Sequence, residues 1–433
     1  MAHPSLTRNG FPLVILLVLS PLGAQCEDTD WPQWRGPNRD GHAAAQSLMQ
    51  SWPEGGPKLK WEFSATGIGY SAVAVANGQL FTMGAVDEQC EAICLDSQSG
   101  AVVWRTPVSR AGTPEDYLSG WGAGPRCTPT VNGDQVFVLT DVGTLAAIKR
   151  TDGSIQWHTD LVANHGGSIP KWGYSESPLV DGDRVVVTPG GDNFMIGLDR
   201  RTGQVVWRSQ GASAPAQYVS VMKGRVGSID YYVTASSPGL LAFDAQSGQK
   251  VFEDKATGNS VAVIPTPVIA GDQLYHTSDY GSGNTLLKLQ ATNDTINAES
   301  VYHLDGKTMR NHHGGVVLVD QTIYGCSKID GGVWLAQDLD SGETLWKQKV
   351  GRNKSGSIAF ADGRLYCYND KDGTLQLVQP DRNAWMVTGE LTLPRQTEVS
   401  RNKGAIWAHP VIANQTLFIR DQDLIFAFDI ARE

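Results

Sequence analysis

The 433-residue sequence carries many side chains capable of chemistry, but few stand at spacings that would use them. His312 and His313 are adjacent in NHHGGVVLV. On a strand, neighbours point to opposite faces, so the pair cannot ligate one ion together and reads as a hydrogen-bonding element. Glu176, in SESP, has no second acid placed for paired acid–base work and reads as a carboxylate satisfied by its surroundings. No phosphate-binding glycine loop and no nucleophile elbow occurs. These patterns assign no catalytic residue and no metal-ligand set. The formal charge of −10 argues against nucleic acid as partner, because neutralising phosphates needs a basic face.

Any site must therefore be built by the fold, and the fold is written as a repeat. The phrase small residue, x, Asp, three residues, Gly, three residues, Trp recurs as CLDSQSGAVVW (94–104), GLDRRTGQVVW (197–207) and AQDLDSGETLW (336–346). It is softened at Lys149, Gly153 and Trp157, and at Asp244, Gly248 and Phe252, and is largely lost in a fifth and a seventh unit. Alternating apolar residues broken by NG, DG and TG turns predict antiparallel hairpins, since Gly and Asn supply the positive φ of tight turns. Eight inner strands are expected to begin near Tyr70, Arg126, Tyr174, Tyr218, Val263, His313, Ser355 and Trp407. Four carry a hydroxyl or His before Pro: Thr128-Pro129, Ser177-Pro178, Thr266-Pro267 and His409-Pro410. Four-stranded units at this spacing stack radially, giving an all-β, eight-bladed β-propeller over residues 57–433. Trp61, Trp104, Trp157, Trp207 and Trp346 are expected to wedge between blades.

The phrase restarts at Ala427 and Asp429 without reaching a Gly or Trp, whereas Trp61 in PKLKWEFSATG has no turn phrase before it. The two fragments complete each other. The last blade is thus expected to close with an N-terminal strand, which removes the exposed edges of an open ring.

Ahead of the ring, FPLVILLVLSPLGA follows a single cation, Arg8, and is too short for a bilayer span. Residues 1–24 read as a cleaved signal peptide and 25–56 as a leader, placing the protein in the periplasm or outside the cell. Lipid attachment at Cys26 is disfavoured by Gln25 and Leu22. Cys90 and Cys94 fall in one predicted strand, about 13 Å apart, beyond disulfide reach.

The Asp, Ser or Thr, Gly and Trp phrase resembles the docking motif of the PQQ-like propeller repeat family, which includes quinoprotein alcohol dehydrogenases and the assembly factor BamB. DWPQWRGPNRDG (30–41), WGYSESPLVDGD (172–183), NHHGGVVLV (311–319) and LFIRDQD (417–423) are similar to exported members described as BamB-like or PQQ-binding-like. The dehydrogenase resemblance implies pyrroloquinoline quinone with calcium: an aromatic floor, cations for the quinone carboxylates, oxygen ligands for calcium and a carboxylate base. Candidate pieces are Arg126, Trp172, Glu176, Asn311, His313 and Trp407. The chain departs from those enzymes in its length, in lacking an adjacent-cysteine pair and in having no CxxCH haem site.

In a propeller, the connections into successive inner strands gather at one mouth. Here they carry Tyr117, Trp121, His165, Lys171 and Trp172, then Arg310, His312, Arg352, Lys354, Arg395, Arg401 and Lys403. That layout predicts a basic, aromatic-rimmed cup for a carboxylated small molecule or an acidic partner protein. The leading expectation is an exported, non-catalytic binding or scaffold propeller. The alternatives are a periplasmic quinoprotein oxidoreductase and an assembly factor that docks strands or loops as BamB does.

Overall fold

The computed structural model describes residues 1–2, 29–349, 351, 354–401 and 403–432. The expected signal peptide therefore lies, apart from Met1 and Ala2, outside the described residues, as do Cys26 and Arg352.

Eight separate four-stranded antiparallel sheets form the ring. The first blade joins β2 (Ala74–Ala76), β3 (Gln79–Val86), β4 (Gln89–Asp96) and β5 (Val102–Arg110) in chain order, and the next six repeat that meander. The eighth joins β30 (Val411–Ala413), β31 (Thr416–Asp421) and β32 (Leu424–Asp429) to β1 (Lys58–Phe63). Lys58 pairs with Asp429 and Trp61 with Ala427, so the phrase interrupted at one end of the sequence is finished by the other. All five described cysteines are buried and free.

Within every blade the third and fourth strands slip register at the same step. The partners just before the slip are Cys94 and Trp104 in the first blade, Ala147 and Trp157 in the second, and Ala427 and Trp61 in the eighth. Such a bulge twists the outer strand and turns one side chain off the sheet. That side chain meets the next blade. The indole N–H of Trp61 donates to the Ser97 carbonyl at 3.1 Å, Trp104 to Arg150 at 2.8 Å, Trp157 to Arg200 at 2.8 Å and Trp346 to Asp381 at 2.8 Å. Beneath the ring lies the turn glycine of the repeated phrase. A Cβ added to Gly100, Gly153 or Gly203 would approach Trp61, Trp104 or Trp157 to 2.7, 2.8 and 2.7 Å. Trp207 is buried at the same position, but Arg184 takes the Ala245 carbonyl and leaves its indole nitrogen without a partner.

The two blades with eroded phrases solve the junction differently. In the fifth, Tyr302 occupies the bulge position and donates its hydroxyl to the Leu339 carbonyl at 2.9 Å. In the seventh the position is Gly389, and the space is filled from outside, with Trp52 lying 2.6 Å from where a Cβ would stand.

Trp52 belongs to the leader, whose described part is packed into the ring. Trp31 bridges Val75 in the first blade, His42 bridges Phe360 in the seventh, and Leu48 bridges Ala431 beside the eighth. Asp362 accepts the backbone N–H groups of Gln46 and Leu48 at 3.1 and 2.8 Å. Between these anchors Trp34, Arg35 and Arg39 reach the axis. There they meet the residues before proline: Trp34 donates to the Thr266 hydroxyl at 3.0 Å, and Arg39 to the carbonyls of Ser177 and Pro178 at 2.8 and 3.2 Å. Proline suits these inner edges because it has no N–H to leave unpaired.

Candidate functional site

Antiparallel parity puts the connections into inner strands and the second-to-third-strand turns on one face of the ring. At that face a cavity of about 350 Å³ sinks along the axis. Its floor is Trp34, which meets His409 edge-on at 4.5 Å. Its walls include five of the expected inner-strand starts: Tyr70, Arg126, Tyr218, His313 and Trp407. They stand ahead of the paired ladders, where single bonds reach the neighbouring segment, as from the Tyr70 N–H to the Pro125 carbonyl at 2.9 Å and from the Tyr218 N–H to the Val263 carbonyl at 3.1 Å.

Four candidates share this cavity: Arg126, Trp172, His313 and Trp407. The Arg126 guanidinium sits over the rings of Tyr70 and Tyr117, at 5.6 and 5.7 Å, and donates to the Gly124 and Gly122 carbonyls at 3.3 and 2.5 Å. Lys171 covers Trp172 at 4.8 Å, and the Trp172 indole nitrogen is buried without a partner. Trp407 packs on Tyr70 at 5.1 Å and on His313 at 6.2 Å. His313 places one ring nitrogen 3.2 Å from the Ser355 hydroxyl, leaving Nε2 without a protein partner.

The remaining candidates lie elsewhere. Glu176 follows Ser175, which lines the cavity, so alternation turns its carboxylate away. Both its oxygens accept from Thr188, one from the backbone N–H and one from the hydroxyl, each at 2.5 Å. The Asn311 amide is consumed by Gly315 and by the Cys326 carbonyl, holding the loop that presents the histidines. Arg401 is ion-paired with buried Asp421, and Lys403 lies 5.9 Å over Trp121.

Acids back several of the cations expected at the mouth. Arg395 pairs with Glu62 at 2.5 Å, and Arg310 lies 3.7 Å from Asp279. Lys328, which the sequence reading did not select, enters the cavity wall with Tyr280; it pairs with Asp279 at 2.7 Å and covers Tyr280 at 5.4 Å. Both sit on second-to-third-strand turns, and counting strand parity would have placed them at this mouth. Trp34 was hidden because the leader gave no repeat signal.

Burial pushes His312 down to about 3, with Lys328 adding to the effect, and carries His313 and His409 well below the usual imidazole range. All three are neutral at pH 7. Charge on the wall therefore comes from Arg126 and Lys328, and no carboxylate lines it among the described residues. This donor set suits the flat body and carboxylates of a quinone, through aromatic faces and Arg126. It does not suit calcium, because Glu176 and Asn311 are committed elsewhere and no group of three or more His, Cys, Asp or Glu converges among the described residues.

A family model described as outer membrane protein assembly factor BamB matches residues 90–337. The assembly factor BamB of Shewanella oneidensis is 27% identical over 244 residues, covering 52% of this chain and 57% of that protein, so the match spans less than two thirds of the relative. Among solved structures, BamB from Moraxella catarrhalis superposes with a TM-score of 0.59 at 13% identity, over 87% of this chain and 98% of that one. A quinohemoprotein alcohol dehydrogenase from Comamonas testosteroni gives 0.63 at 11% identity, over 94% and 81%. At these identities the structural likeness is one of fold.

Proposed function

Because this chain belongs to the family of the outer membrane protein assembly factor BamB, a PQQ-like β-propeller related in fold to the quinoprotein dehydrogenases, we propose that it acts as an exported, non-catalytic binding propeller whose cup takes a flat, carboxylated small molecule. One observation carries this reading. The cavity is walled by Tyr70, Trp121, Trp172, Tyr218, Tyr280 and Trp407, includes Arg126 and Lys328, and presents neutral histidines in place of carboxylates. Aromatic faces hold a planar ligand by dispersion, and cations beside them anchor its anionic groups. A neutral or cationic ligand would leave Arg126 without a counter-charge.

Export follows from the apolar N-terminal run; among the described residues no helix is long and apolar enough to cross a membrane. The oxidoreductase reading calls for a carboxylate base, and no carboxylate lines the wall among the described residues.

Calorimetry with pyrroloquinoline quinone as probe, at low salt and with a chelator present, tests the proposal. Binding should be measurable without calcium and should weaken as salt rises, since exposed charges are screened over about 8 Å at physiological ionic strength. Arg126→Gln and Lys328→Gln should each weaken it, whereas reversing Arg200 and Arg201 on the opposite face should not. No heat at low salt, or equal behaviour of all these variants, would overturn the assignment.

A further inference from the structure

The two cations of the cup stand on opposite walls. Arg126 leads into Thr130–Asn132, the first strand of the second blade, and Lys328 follows Thr322–Ser327, the second strand of the sixth. The blades succeed one another round the ring in chain order, and the eighth returns to the first through Trp61. From the second of eight blades to the sixth is half a turn, so the cavity lies between these two side chains, both of which line it.

Aromatic side chains fill the arcs between them. On one arc Trp172 and Tyr218, which lead into the third and fourth blades, have ring centres 5.9 Å apart. On the other, Tyr70 and Trp407, which lead into the first and eighth, are 5.1 Å apart. With Trp34 below, the cavity is a slot: cationic at its two ends and aromatic along its sides and floor.

Each end keeps donors in reserve. Arg126 gives one N–H to the Gly124 carbonyl and one to that of Gly122, and a guanidinium has further N–H groups to offer. Lys328 pairs with Asp279 at 2.7 Å, but the same carboxylate also faces Arg310 at 3.7 Å, so one acid serves two cations. Asp279 is 3% exposed and stands behind the wall, and among the described residues no carboxylate lines the space between the ends. Like charges that face each other across one cavity focus a positive potential in it. A ligand with a single anionic group, or with two side by side, can meet only one of them closely.

We propose that the cup selects its ligand by the placement of charge: it takes a flat dianion with a carboxylate at each end, one bound by Arg126 and the other by Lys328, the body lying between the aromatic sides. This rests on the reading of the cup as a site for a carboxylated small molecule, and it narrows that class. At about 350 Å³ the cavity falls at the small end of ligand pockets, roughly 300–1,000 Å³.

The test is calorimetry on the full chain at low salt, with isomers that share ring and charge. Terephthalate, with acids at opposite ends, is compared with phthalate, whose acids are adjacent, and with benzoate, which has one; the corresponding naphthalene acids repeat the series on a longer body. In at least one series the end-to-end acid should bind about tenfold or more tightly than its adjacent isomer, the worth of one charge-assisted hydrogen bond. Arg126→Gln and Lys328→Gln should each bring it down to the level of the monoacid. Because the isomers are compared on the wild-type chain, a variant that fails to fold does not remove the test. Equal binding of adjacent and end-to-end acids in both series would overturn the proposal while leaving a cup that binds anions. A preference that survives either glutamine substitution would overturn it too, and no heat with any acid would overturn both it and the reading on which it rests.

Discussion

At the leader's end of the channel, Arg39 lies in the interior with its terminal nitrogens spent on Gln33 and on the Ser177 and Pro178 carbonyls. At the other end, Arg126 also donates from both terminal nitrogens to carbonyls, those of Gly124 and Gly122, but it lies between aromatic rings at the wall of a cavity open to solvent. One residue type serves two purposes, and the surroundings decide which. Where backbone carbonyls and leader packing consume the donors, arginine cements the ring. Where rings and a void surround it, part of its charge remains for a ligand. The N-terminal segment through Trp61 should therefore govern stability, and the cup should govern binding.

The largest effect should come from Trp61→Ala. It removes a buried indole and the bond to Ser97 that ties the eighth blade to the first, and should cost about 3–5 kcal/mol in denaturant unfolding. An unchanged midpoint would mean that the ring closes by other means. Arg39→Met comes next. Leaving the Ser177 carbonyl without the Arg39 donor, and Pro178 with the Thr130 hydroxyl alone, should cost on the order of 3 kcal/mol, whereas Arg126→Met should cost about 1 kcal/mol and lower probe affinity roughly tenfold. Equal losses of stability would erase the distinction between the two ends.

Acidity should separate them by sign. Burial pushes Glu176, beside Arg39, up to about 7. The folded state then holds a proton that the unfolded state releases, so this group stabilises below the ordinary carboxylate range and loses that contribution as pH rises toward 7 and beyond. Comparing wild type with Glu176→Gln between pH 5 and 8 should expose a difference on the order of 2–3 kcal/mol. His312 and His313 in the cup act oppositely: they stay neutral when folded, so stability falls as pH drops below about 6.5 and the unfolded imidazoles charge. A His312→Gln variant with an undiminished acid slope would remove His312 from that account. The smallest effect on binding should be reversal of Arg200 and Arg201, which loses the Arg200 bonds to Asp183 and Asn132 yet should leave probe affinity unchanged.

The ring was legible because each blade must solve the same junction, and the Asp-to-Trp phrase is its imprint. Even the closing strand could be read, since Ala427 and Asp429 lacked what Trp61 supplied. The bulge that aims each tryptophan could not be read, because register is a property of two strands and leaves no residue signature in one. The replacement of a docking tryptophan at Gly389 by Trp52 was hidden for a related reason: the substitute arrives from a segment with no repeat. In the cup, position along the loops was readable but direction was not. Alternation alone sent Ser175 inward and Glu176 away, and a single-residue shift of the strand start would have exchanged them. The basic character inferred from loop cations took no account of Glu62, Asp279 and Asp421, acids that sit behind them.

The pairing of β1 with β32 also sets a timetable. A ribosome makes β1 before any of the blades and its partner after nearly all of them, so the first strand waits through the synthesis of the whole ring for the backbone that will satisfy it. Seven blades can assemble from neighbours close in sequence, but the eighth requires contact across nearly the full chain, the slowest kind of encounter. During that interval an unpaired edge is open to other chains. A circular permutant that joins β32 directly to β1 and opens a loop between two other blades would make the last junction local. Its refolding should be faster and less prone to aggregation than that of the natural order, at little change in final stability.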